Sequence, residues 1–124
     1  MKIKIPIQAL RIDIITQTFE TVQLQPENVL NQLYQLLACH TISGFDLDGY
    51  HCCYIDDEGL LGEPEGYFTL PEFSYPIASN AIIVGTNHRN GNDKSVKPDL
   101  LEKLRNRIIF FRPGEVKLEI RFFE

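Results

Sequence analysis

The sequence predicts an α+β fold, a mostly antiparallel β-sheet with two helices packed on one face. Apolar and polar residues alternate with a period of two in many short runs. Two segments switch instead to helical spacing, and no repeat, heptad or linker divides the 124 residues. A chain of this length is normally one domain, expected here over residues 1–124. It can remove about two-thirds of its unfolded surface from water. Its 44% hydrophobic and 23% charged content is that of a globular protein and argues against disorder of the whole chain.

The elements follow in order. Ile3, Ile5 and Ile7 share one face of an opening strand, with Pro6 suited to a sheet edge because it lacks a ladder donor. Leu10, Ile12 and Ile14 continue the alternation, and Thr16 to Thr18 makes a turn into a strand marked by Phe19, Val22 and Leu24. Pro26 suits the first position of a helix, where its missing N–H costs nothing. Val29, Leu30, Leu33, Leu36 and Leu37 form the apolar stripe of that helix, predicted over residues 26–38. Short strands are expected at 41–45, 50–55 and 66–70, with Asp48-Gly49 as a tight turn. The run at 81–85 (AIIVG) reads as a central strand. Residues 87–97 form a polar loop, and Pro98 opens a second helix carrying Leu100, Leu101, Leu104 and Ile108. Residues 108–111, a Pro113-Gly114 turn and the alternation from Val116 to Phe122 predict a closing hairpin.

Charge is uneven. Residues 1–87 hold 3 basic and 11 acidic side chains, a net of −8, whereas residues 88–124 hold 9 basic and 6 acidic, a net of +3. The overall −5 argues against nonspecific nucleic-acid binding, which needs a cationic surface. Cys52 and Cys53 are adjacent, so on one strand they point to opposite faces and do not pair. Three free thiols, no signal-peptide pattern and no apolar run of about 20 residues predict a soluble cytoplasmic protein without a membrane span.

Chemistry concentrates in two stretches. Between Asp46 and Glu65 lie seven acids, no Lys or Arg, and His51, Cys52 and Cys53. Carboxylate clusters suit hard cations, but the calcium-loop template fails: its required glycine is His51, Cys53 or Leu61, depending on the starting Asp. Neither Cys39-His40 nor His51-Cys52-Cys53 has zinc-ligand spacing. His51 and Cys53 share a strand face, which permits a thiolate–imidazole pair, although free cysteine is usually a buried small hydrophobe. The acids divide into two turns, 46–49 and 56–59, at the ends of a strand too long for them to meet. They read as a recognition surface centred on Asp56, Asp57 and Glu58. The second stretch, residues 87–97, offers His88, Arg89, Lys94 and Lys97 for phosphate or carboxylate, without any known phosphate-loop motif.

The segment Ile55-Asp56-Asp57-Glu58-Gly59, followed by Pro64 and later by Ile82-Ile83-Val84-Gly85, resembles an uncharacterised family of small phage- and plasmid-borne proteins. The likeness spans about residues 10–87. The chain departs from the family pattern at Cys39-His40-Thr41, where a glycine pair is common, and at Pro64-Glu65, where Pro-Asn is favoured. The resemblance implies an accessory protein of a mobile element and carries no catalytic residue.

Together these features predict a non-enzymatic protein that binds a protein partner through its acidic surface and forms a homodimer along an edge strand. No cofactor or metal is expected. The alternatives are a small-molecule or nucleotide-binding protein using residues 87–97 with Tyr54 or Tyr67 as stacking ring, and a metal-assisted hydrolase built on Asp46, Asp48, His51 and Asp56.

Overall fold

A computed structural model describes residues 5–58, 64–71, 76–86 and 93–113. The main sheet contains β1 (Ile7–Asp13), β2 (Thr18–Leu24), β3 (Ile42–Asp46), β4 (His51–Asp56) and β6 (Ala81–Thr86) in the order β2-β1-β6-β4-β3. The short β7 (Asp93–Lys94) pairs with the far end of β6, and every pairing is antiparallel. Two further strands, β5 (Tyr67–Thr69) and β8 (Ile109–Phe111), form a small second sheet. The helices are α1 (Val29–Leu37) and α2 (Leu100–Arg105). This is the expected α+β class, mostly antiparallel with two helices.

The placement of the helices differs from a shared face. β6 is apolar on both sides, so both faces of the central strand need cover. Ile82 and Val84 pack with Leu33 and Leu37 of α1 and with Ile7, Ala9 and Leu24. Ala81 and Ile83 pack on the other face with Leu100 and Leu104 of α2, together with Phe68 and Leu70. The sheet is thus a middle layer between α1 and a second layer made by α2 and the small sheet.

Local chemistry explains several boundaries. β1 starts at Ile7; Ile5 is exposed, and residues 1–4 lie outside the described residues. Pro26 does not open α1, because Asn28 takes a left-handed conformation (φ 62°) and the helix begins after it. Gln32 closes that end: its side chain accepts from the Gln25 N–H at 2.8 Å and donates to the Gln25 and Glu27 carbonyls. Ala38, also left-handed, ends the helix, and the Cys39 N–H bonds the Tyr34 carbonyl. Lys94 belongs to β7 and so lies on a strand, not in a loop. β8 pairs with β5, and the expected hairpin partner at 114–124 lies outside the described residues. Among the described residues, no helix is long and apolar enough to cross a membrane.

Candidate functional site

β4 carries chemistry at each end. At its start, Asp46 and Asp48 organise the β3–β4 turn. The Gly49 N–H bonds Asp46 Oδ2 at 2.9 Å, and Gly49 supplies the positive φ (82°) that the turn needs. Asp48 Oδ1 accepts from the Tyr50 and His51 amides at 3.0 and 2.8 Å. Its other oxygen lies 2.8 Å from His51 Nδ1. Burial pushes the Asp48 carboxyl up, but the His51 ring and the two amides together hold it below its ordinary value. The His51 ring is 2% exposed, and its Nε2 accepts the Lys97 N–H at 3.0 Å. A backbone amide can only donate, so Nε2 is unprotonated and Nδ1 carries the proton toward Asp48.

Tyr50 packs edge-on against that imidazole, with ring centroids 4.8 Å apart. Its ring also lies against bare backbone. A Cβ built on Gly85 would stand 3.1 Å from Tyr50 Cε1 and 2.6 Å from the Ser95 carbonyl oxygen, so only glycine fits there. The Lys94 and Lys97 ammonium groups each sit 4.2 Å from the centre of the Tyr50 ring.

At the other end of β4, Asp56 Oδ1 accepts the Glu58 N–H at 2.9 Å and shapes the second acidic turn. The Asp56 N–H bonds the buried Ser79 hydroxyl, which in turn donates to the Asn80 carbonyl. Asn80 Oδ1 accepts the Ile14 N–H at 2.9 Å. These bonds join β4, the end of β1 and the segment before β6 around a cleft of about 350 Å³. Asp56, Glu58 and Glu65 stand on its walls; Ile14, Leu37, Ala38, Pro64 and Ala78 supply apolar lining. No basic side chain lines it among the described residues.

A family model for a domain of unknown function, DUF3846, matches residues 7–109. The chain belongs to the DUF3846 family. An uncharacterised protein of Sinorhizobium fredii, y4iR, is 21% identical over 101 residues. That match covers 82% of this chain and 60% of the relative, so the chain spans less than two-thirds of the longer protein. No solved structure matches it.

In this DUF3846 chain the two acidic turns stand at opposite ends of β4. Asp56 and Glu58 share one cleft, joined by Glu65, while Asp57 is exposed and is not among the lining residues. Lys94 sits at the far end of the strand, over Tyr50. His88 and Arg89 lie outside the described residues. The hydrolase constellation separates, because Asp48 and His51 are bonded to each other and Asp56 is a strand away. Among the described residues, no three His, Cys, Asp or Glu side chains converge as a metal-binding set.

His51 and Cys53 do share a face of β4, but burial raises the Cys53 thiol far above its usual range, so it is not a thiolate. Burial also raises Cys39 and Cys52. Of the two expected stacking rings, Tyr67 is buried, and Tyr54 is partly buried and packs against the α1 layer. Tyr50 is the aromatic beside the lysines. Alternation puts it with Cys52 and Tyr54, whereas β4 begins one residue later and leaves its ring free to turn toward His51.

Proposed function

We propose that this chain is a binding protein whose acidic cleft captures a basic segment of a protein partner. The observation that carries the reading is that Asp56, Glu58 and Glu65 line one cleft together with apolar side chains. Lys and Arg bring a long apolar stem and a charged head, so a lined floor and an acidic rim fit both parts. Charge complementarity also speeds encounter and rejects acidic partners. The mobile-element setting implied by the sequence resemblance suits such an accessory role. The same reading takes the protein to act in the cytoplasm and two copies to meet along an outer strand of the sheet.

A fluorescent peptide of alternating Lys and Leu tests the cleft directly. Binding is expected to weaken by tenfold or more when Asp56→Asn, Glu58→Gln and Glu65→Gln are combined, since charge-assisted contacts are removed. Asp57→Asn, outside the cleft, is expected to change it little. Equal binding by the triple variant and the wild type rejects the proposal.

A further inference from the structure

The start of β4, where Lys94 and Lys97 approach Tyr50, is a separate place with separate chemistry. Three backbone constraints bring its parts together. Lys94 is held by the pairing of β7 with Gly85 of β6. The backbone at Lys97 is tied by its N–H to His51 Nε2. Tyr50 is tied by its carbonyl to the Thr86 N–H at 2.8 Å, with its ring seated on Gly85 and His51. The two ammonium groups are therefore placed on one ring, no farther apart than twice the 4.2 Å that separates each from its centre.

Two like charges gathered at one ring repel each other. Here the neighbouring acids are turned elsewhere. Asp46 is engaged by the Gly49 amide and Asp48 by the His51 ring and two amides. Asp93, next to Lys94, faces the Tyr54 hydroxyl at 3.4 Å, and Asp99, two residues after Lys97 and within its field, pairs with Lys103 at 3.2 Å. Among the described residues, neither Lys94 nor Lys97 has a carboxylate at ion-pair distance. Lys97 is exposed and Lys94 and Tyr50 are partly so, which leaves the pair open to solvent.

We propose that Tyr50, Lys94 and Lys97 form a binding site for a small phosphorylated ligand. Two ammonium groups match a group carrying two negative charges better than a single carboxylate does. Lysine binds phosphate as a compact point charge, without the fork geometry of arginine. The Tyr50 ring contributes by holding both stems in place, which lowers the ordering cost of binding. His51 is a positioning residue: it fixes the Lys97 backbone and the Tyr50 ring without facing the ligand.

Pyrophosphate is the probe, followed by calorimetric titration and thermal unfolding against sodium chloride at equal ionic strength. Pyrophosphate is expected to raise the unfolding temperature of the wild type by ligand linkage. Lys94→Gln and Lys97→Gln are each expected to weaken binding roughly tenfold, the effect of losing one charge-assisted contact. Arg105→Gln, an exposed cation in the last turn of α2, serves as the unaffected control. Adenosine diphosphate binding as well as or better than pyrophosphate supports the site, since the phosphates are the recognised groups. No stabilisation at millimolar pyrophosphate, or equal stabilisation in both glutamine variants, overturns it. So does binding of a single-stranded oligonucleotide when pyrophosphate fails.

Discussion

His51 has both ring nitrogens occupied, and those two bonds decide what it can do. With Nε2 accepting from a backbone amide and Nδ1 donating to Asp48, it is a structural tie between the β3–β4 turn and the approach to α2. The residue types and the shared face with Cys53 are visible in the sequence. The Lys97 N–H is not, because main-chain donors look alike in every sequence. Asp93 shows the complementary case, a carboxyl in an unfavourable place. Burial raises its pKa from the ordinary 3.8, and the Tyr54 hydroxyl offsets this only in part. A carboxyl whose folded-state pKa is raised stabilises the fold below the unfolded value, and that contribution is lost as pH rises through the folded value. Asp93→Asn keeps an acceptor for Tyr54 and removes the buried charge. The variant is expected to melt higher than the wild type at pH 7, with the advantage vanishing near pH 3.5. Thermal unfolding at both values checks this, and an equal or lower melting temperature at pH 7 contradicts it.

Among the elements, α1 was legible from its leucine spacing but not from its ends. Period 3.6 marks the stripe, whereas the start depends on Asn28 turning left-handed and on Gln32 reaching back to residues 25 and 27. The stripe is also narrower than its sequence suggests. Leu33 is 2% exposed and Leu37 8%, while Leu30 is 57% exposed. Leu33→Ala is expected to cost about 3 kcal/mol, the usual penalty for emptying a packed leucine site. Leu30→Ala is expected to fall within about 0.5 kcal/mol of the wild type, as surface changes do. Urea unfolding of the two variants distinguishes them, and similar losses would place α1 in the wrong rotation. β7 was illegible for a different reason. Two residues carry no period, and Asp93 and Lys94 join a sheet only because β6 extends far enough to pair with them.

At the scale of the whole molecule, the order β2-β1-β6-β4-β3 leaves β2 and β3 outermost. β2 is the longer, and its one charged side chain, Glu20, is neutralised by Arg11 at 2.8 Å. Natural edge strands are usually guarded by charge, proline or a bulge, so a lightly guarded edge invites pairing with a second copy. The homodimer proposed above is expected as the main species in sedimentation at micromolar concentration. Thr21→Lys with Gln23→Lys, both on exposed positions of β2, is expected to shift it to monomer; a monomeric wild type removes this part of the proposal. The same strand order places the acidic cleft and the lysine-bearing ring at opposite ends of β4, so one chain offers two separate surfaces. By itself the sequence determined the α+β class, most of the strands, the helical stripes and the separation of the two acidic turns, because period and turn chemistry are local properties. Only the tertiary structure decided that the helices cover opposite faces, that Glu65 joins Asp56 and Glu58, and that Tyr50 gathers Lys94 and Lys97. Those outcomes depend on which distant strands pair and in what register, and a periodic pattern does not name its partner.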